Sequence, residues 1–386
     1  MLFRGSCETN LGSLTLERTR GAAAQADLSR LREEEIRIRI ASALDTSPDE
    51  VTIDHWKIGC ECRLSIHCRG SHGPRRFFAK IFIVDPYPLV PHFPLPWEEV
   101  IPLREQVRFR PIKDQIEAEG NGTREARRLA GPALVPSELG RSREARTIVW
   151  QEVGGKRLDH MMRVSGWNAR QGKACVQAMH QAGAWLRRLH DGSGQRSEIL
   201  DFAQTIDLIP LLVKQHGSSS PRYTEMACRV VETAFEMVGR QTRVPLPWGL
   251  CHGDFSLPNL IWDAKLKRLS VIDFEHSGSG TTFHDLFALA FDFRRQLLNP
   301  FIPRDLIESC ERSFWAGYGP IPRETWILAT GLALARIFYY SLPRLATRSK
   351  RRGWLAGVTA STYRVLFEDV VLKKRLQPLT SLALTS

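Results

Sequence analysis

The sequence predicts an α+β, bilobal chain in which a small antiparallel sheet precedes a larger helical part. Three observations predict it. Between residues 51 and 85 the stretches "VTIDHWKIG", "CRLSIHCRG" and "RRFFAKIFIVD" alternate or run apolar over strand lengths, as successive antiparallel strands do. After residue 154 the period changes. Cys175, Met179, Ala182, Leu186 and Leu189 fall at helical spacing through "KACVQAMHQAGAWLRRLH". Near residues 250–275, two apolar strand-like runs each deliver an aspartate, in "LCHGDFSLPNLIW" and "LSVIDFEHSG". A chain of 386 residues is long enough for two cores, with a cleft expected between them.

The elements follow in order. Residues 1–26 are polar, with several glycines and alanines, and read as a flexible tail. An N-lobe is expected over 27–153. It opens with a helix, "LSRLREEEIRIRIASALD" (28–45), stopped by the turn-like "TSPDE". After the three strands comes a proline-rich insert, 86–111, whose seven prolines exclude regular structure throughout. "TREARRLAG" then reads as a helix, "LVPSELG" turns into a strand, and "ARTIVWQEVGG" is a buried strand stopped by two glycines. A helical C-lobe is expected over 154–386, interrupted only by a strand pair around 250–274. No internal repeat is present.

Composition narrows the class. Hydrophobic residues at 43% and charged residues at 25% describe an ordinary globular protein. The N-terminus has no basic-then-apolar leader, and the longest apolar run, "WILATGLALA" (326–335), is too short to span a bilayer. It reads as a core helix. Of eight cysteines only Cys60, Cys62 and Cys68 cluster, with no second group to complete a zinc site. The alternation Cys60-Glu61-Cys62 reads as one face of a strand. A reduced, cytoplasmic protein is the simplest expectation. The net charge is +12, and five of the nine residues from Arg344 to Arg352 are basic. That segment suits an anionic membrane surface or glycan, hence a peripheral membrane location. It suits a solvated helix end equally well. No nucleic-acid module accompanies it, which argues against nucleic acid as a partner.

The two acidic segments carry the chemistry. Phosphoryl transfer needs magnesium held against nucleotide phosphates, a carboxylate near the attacking hydroxyl, and a cation on the phosphates. Asp273 and Asn259 are oxygen donors of the kind magnesium takes, which leaves Asp254 to orient the hydroxyl and accept its proton. Leu250, Leu260, Ile261, Val271 and Ile272 would hold both segments as neighbouring strands. Aspartates capping turns at strand ends would explain one such residue, not three at this spacing.

These residues carry a resemblance. "HGDFSLPN" resembles the H-G-D-x-x-x-x-N loop of the aminoglycoside phosphotransferase and choline kinase superfamily, small-molecule relatives of the protein kinases. "VIDFE" resembles that family's I-D-F/W-E segment, and the 19 residues from Asp254 to Asp273 suit it. "GAWLRRLH" (183–190) is similar to the family's helix ending in L-x-x-L-H, and "FHDLFAL" (283–289) to its D-L-a helix. The resemblance implies a protein-kinase-like fold and a phosphotransferase that moves the γ-phosphate of ATP, or of GTP, to a hydroxyl of a sugar, amino alcohol or glycan. It implies Asp254 as catalytic base, Asn259 and Asp273 as magnesium ligands (catalytic loop 252–259, metal-binding segment 271–275), and His252 and Asp285 as structural support. Lys80 in "FFAKIF" would contact the α- and β-phosphates and pair with a helix glutamate. Glu125 is the chosen partner, with Glu117 and Glu119 as rivals. Backbone groups of Glu152 and Val153 in "VWQEVGG" would meet the adenine. The sequence departs from the wider kinase pattern in having no G-x-G-x-x-G before Lys80, which members of this family often lack. Ten tryptophans could cage a quaternary amine, though core packing explains them as well. The rivals are a nucleotide-binding scaffold without turnover, against which Lys80, Asp254, Asn259 and Asp273 together argue, and an atypical protein kinase, for which the A-P-E segment is missing.

Overall fold

The computed structural model describes residues 33–58, 63–70, 76–82, 112–165, 168–194, 196–201, 243–297, 299–322 and 384–385. The N-terminal tail, Cys60, Cys62, the proline-rich insert, the apolar run at 326–335 and the basic segment at 344–352 lie outside the described residues. Among the described residues no helix is long and apolar enough to cross a membrane. The chain divides into two compact units.

The first unit is built on one antiparallel sheet. Its strands are β1 (Val51–Ile58), β2 (Arg63–Gly70), β3 (Arg76–Phe82), β4 (Glu138–Ser142) and β5 (Thr147–Gln151), in the order β1-β2-β3-β5-β4. The register pairs Ala79 with Ile66 on one side and with Val149 on the other, so small and branched apolar side chains fill the sheet centre. Helix α1 (Glu33–Leu44) buries Ile36, Ile40, Ala41 and Ala43, a helical stripe that packs on Val51, Ile66, Phe77, Ile81 and Val149. Arg37 and Arg39 pair with Glu33 and Glu35 at i,i+4 on the outer side.

Helix α2 (Ile112–Ala130) is longer than the sequence suggested. "TREARRLAG" is only its second half. Gly120 and Gly122 fall in its interior, where each costs about 1 kcal/mol relative to alanine. Packing overrides that cost, since a Cβ on Gly120 would sit 2.5 Å from the Arg141 guanidinium carbon. Residues of α2 up to Gly120 belong to the first unit and those from Asn121 to the second.

The second unit is helical, with α3 (Leu158–Ser165), α4 (Ala169–Gly192), α5 (Phe283–Leu297) and α6 (Arg304–Tyr318). Trp185, Leu186 and Leu189 of α4 share one core with Phe255, Leu257, Phe274, Phe293 and Phe314. This unit holds more strands than the expected pair. β6 (Lys156–Arg157), β9 (Leu260–Asp263) and β10 (Arg268–Val271) form one small sheet, in the order β10-β9-β6. β7 (Arg196–Asp201), β8 (Arg243–Cys251) and β11 (Gly278–Thr281) form another, in the order β11-β8-β7. "GSGT" and "RSEILD" carry no clear apolar alternation, so the sequence gives no sign of the strands that flank β8.

Candidate active site

The loop at 252–259 runs from the end of β8 to the start of β9, closing with a 3-10 turn at Leu257–Asn259. The β9–β10 hairpin pairs Leu260 with Val271, and the Ile272 N–H then donates to the Asn259 carbonyl at 3.0 Å. The ladder thus runs one step past the strands and sets Asn259 and Asp273 at its open end. Asp254 arrives differently. The expected neighbouring strands are β9 and β10, whereas β8, which leads into Asp254, lies in a separate sheet, so for that residue the expectation is corrected. What brings Asp254 to the hairpin is Asn259, whose Nδ2 donates to the Asp254 carbonyl at 2.9 Å and to its Oδ2 at 3.0 Å. Both partners can only accept, so the amide orientation follows and leaves the Asn259 oxygen for another ligand. Asp273 has φ 73°, a left-handed backbone uncommon outside glycine but tolerated by aspartate. An amide oxygen and a carboxylate are the hard donors that magnesium accepts beside waters and phosphates, so this donor set fits the ion.

A buried shell holds the loop. The Asp285 carboxylate accepts the N–H groups of His252 at 2.7 Å and Gly253 at 2.8 Å. His190 Nε2 lies 3.2 Å from the same carboxylate, and its Nδ1 lies 3.0 Å from the Tyr318 hydroxyl. Burial, the largest single effect, would raise the Asp285 pKa, but the hydrogen bond from His190 and the electrostatic pull of His190, His284 and His252 together outweigh it, and the carboxyl sits at about 2. His252 Nε2 lies 3.0 Å from the Ile272 carbonyl, which can only accept, so that nitrogen carries the proton. Its Nδ1 accepts the Asp254 N–H at 3.3 Å. Burial pushes the His252 pKa down, against the pull of Asp285, Asp254 and Asp273, in keeping with a neutral ring. His252 therefore ties one segment to the other as a neutral ring whose single N–H is held by the Ile272 carbonyl. Gly253 takes φ 84°, and a Cβ there would meet the His276 carbonyl at 1.9 Å. No other residue fits.

In the first unit Lys80 is buried on β3, and its Nζ lies 2.7 Å from Glu119 Oε1. The ammonium also lies 5.6 Å from the centroid of the Trp150 ring. The partner is Glu119, not Glu125. Six residues along a helix turn the side chain about 240° and carry it about 9 Å onward, so Glu125 faces another way. It bonds Arg128 on the surface, and that hydrogen bond lowers its pKa. Glu117 meets Arg141 at 3.0 Å and Arg143 at 2.9 Å. Glu152 follows β5; its N–H donates to the Arg76 carbonyl at 3.1 Å and its carboxylate lies 2.8 Å from His67 Nδ1. Val153, partly buried, follows it in the chain.

The profile of the Phosphotransferase enzyme family matches residues 107–321, more than half of the chain. The chain belongs to the phosphotransferase enzyme family. Among solved structures it resembles the amicoumacin kinase hAmiN in complex with AMP-PNP, Ca2+ and Ami, with TM-score 0.57 and 12% identity over 92% of this chain and 98% of that one. It also resembles a choline/ethanolamine kinase family protein from Mesorhizobium loti, with TM-score 0.52 and 16% identity over 89% of this chain and 97% of that one. Comparison with curated protein sequences gives no match. At such identities the likeness is one of fold, and the fold is the bilobal kinase-like one.

Three residues of this phosphotransferase escaped the sequence reading. His190 closes the motif "GAWLRRLH" yet was given no role, while His284 and Asp292 bond the loop directly. His284 Nε2 lies 2.7 Å from the Gly253 carbonyl, and the Leu257 N–H donates to Asp292 Oδ2 at 2.8 Å. A signal existed for Asp292. It is a carboxylate two turns after Asp285 on an apolar helix, where an unanswered charge is costly.

Proposed function

We propose that this phosphotransferase moves the γ-phosphate of ATP to a hydroxyl of a small molecule. The observation that carries the reading is the pair of hydrogen bonds from Asn259 to Asp254, by which one side chain orients the base and keeps its own oxygen for a metal. Asp254 is only partly buried, so an acceptor can reach it. Its carboxylate takes the hydroxyl proton as that oxygen bonds the γ-phosphorus. The bond from phosphorus to the β–γ bridging oxygen breaks, and ADP leaves. Lys80, aligned by Glu119, lies along the α- and β-phosphates, and the backbone at Glu152 and Val153 meets the adenine. Asn259 and Asp273 would hold magnesium, which would supply charge neutralisation on the phosphates. The amicoumacin kinase, captured with AMP-PNP and Ca2+, supports a triphosphate with a divalent cation. The choline/ethanolamine relative favours an amino alcohol among the acceptors the sequence suggests.

The test is Asp254→Ala, compared with wild type by ATP titration and by ATP consumption across a panel of hydroxyl compounds. Removing a general base costs about 10²- to 10⁴-fold in rate. Binding should stay close to wild type while consumption is lost by that factor. Full turnover by the variant would sink the assignment.

A further inference from the structure

Helix α5 grips both ends of the loop at 252–259. At its start, His284 bonds the Gly253 carbonyl, and Asp285 accepts the N–H groups of His252 and Gly253. Seven residues later Asp292 returns to the same face, within about 20° of rotation and about 10 Å along the axis. There it accepts the Leu257 N–H at 2.8 Å, with both residues buried.

That N–H needs an outside partner. Leu257 opens the 3-10 turn, and the leading N–H groups of such a turn have none within it. Ser256 occupies the N-cap position, but its side chain makes no capping bond, and Pro258 has no N–H. The turn then closes from the Asn259 N–H to the Ser256 carbonyl at 2.9 Å. Asn259 is the residue that holds Asp254. The geometry points to Asp292 as a positioning residue for phosphoryl transfer, which anchors the turn Leu257–Asn259 and, through Asn259, sets the carboxylate of Asp254. The inference rests on the role proposed for Asp254.

Wild type, Asp292→Ala, Asp292→Asn and Asp254→Ala would be compared in two measurements. One is steady-state hydrolysis of magnesium–ATP with water as acceptor; the other is hydrogen exchange at the Leu257 amide. A reacting group displaced by about 1 Å loses on the order of 10²-fold in rate. Asp292→Ala should lower kcat about 10- to 100-fold with the KM for ATP within about threefold, and should speed Leu257 exchange at least about tenfold. Asp292→Asn keeps an acceptor oxygen and should recover most of both. Unchanged exchange at Leu257 in Asp292→Ala, or faster exchange with unchanged kcat, overturns the inference. If Asp292→Ala does not fold, Asp292→Asn decides. Retained kcat with a protected Leu257 amide upholds the hydrogen bond, and a large loss of kcat with that amide still protected overturns it. Asp254→Ala keeps the two ideas apart. Undiminished hydrolysis there defeats the reading of the base, whereas Leu257 exchange reports on Asp292 alone.

Discussion

Glu119 and Glu125 stand six residues apart on one helix, and their surroundings give them opposite prospects. Glu119 is almost fully buried against the Lys80 ammonium, whereas Glu125 shares an exposed ion pair with Arg128. Removing one member of a buried pair leaves an uncompensated charge and costs about 3–5 kcal/mol, while an exposed i,i+3 pair contributes about 0.5 kcal/mol or less. Glu119→Ala should therefore weaken ATP binding at least about tenfold, through misdirection of Lys80, and lower the unfolding temperature. Glu125→Ala should leave both near wild type. Titration with ATP and thermal unfolding of the two variants check this, and equal effects would break the assignment. The sequence could not choose between these glutamates. All precede the same strand, and the choice turns on helical phase, which a helix read only over "TREARRLAG" does not extend to Glu117 and Glu119.

At the scale of elements, α4 and α6 approach so closely that each needs a glycine at the contact. A Cβ on Gly183 would lie 2.0 Å from the Phe314 carbonyl, and one on Gly317 would lie 2.2 Å from the His180 carbonyl. Alanine normally gains about 1 kcal/mol over glycine in a helix. Here the obstacle is backbone on the facing helix, which cannot rotate away as a side-chain tip would. Overpacking of that kind costs about 1–3 kcal/mol, so the net effect should be destabilising. Gly183→Ala should lower the unfolding temperature by several degrees, at about 2–4 °C per kcal/mol for a unit of this size. His190 of α4, which meets Asp285 and is itself bonded by Tyr318 of α6, should shift with them, so activity should fall as well. An unchanged or raised melting temperature by circular dichroism would contradict the packing argument. Most of these elements were legible in the sequence. The strands β1 to β3 announce themselves by apolar runs, α4 by its helical stripe, and the 252–259 loop by residue types at fixed spacing. β7 and β11 were not, because pairing with β8 defines them and short, polar or glycine-rich stretches leave no periodicity to read. Asp292 was missed for a related reason, since its partner is a backbone N–H, which no residue name displays.

For the whole molecule, the proposed machinery is divided. The first compact unit carries Lys80 and Glu119; the second carries Asp254, Asn259 and Asp273. The family profile covers residues 107–321 and so omits the strand that bears Lys80, yet the likeness to the amicoumacin kinase extends over 92% of the chain. On the function proposed, Lys80 and the metal donors act on the nucleotide by different routes. A ligand that binds only the folded state stabilises it by about 2.7 kcal/mol at one hundred times its Kd, so ATP should raise the unfolding temperature of wild type, and magnesium should raise it further. Asp273→Asn removes a charged metal ligand while Lys80 and Glu119 stay in place. Its response to ATP alone should persist, and the increment from magnesium should disappear. Lys80→Met removes the cation on the phosphates while the metal donors stay in place. It should weaken the response to ATP alone, with a magnesium increment still visible at saturating nucleotide. Thermal unfolding of the three proteins, with ATP and with and without magnesium, separates these outcomes. A magnesium increment that survives Asp273→Asn intact would remove Asp273 from the proposed metal site, and an ATP response that ignores Lys80→Met would remove Lys80 from the proposed nucleotide contacts.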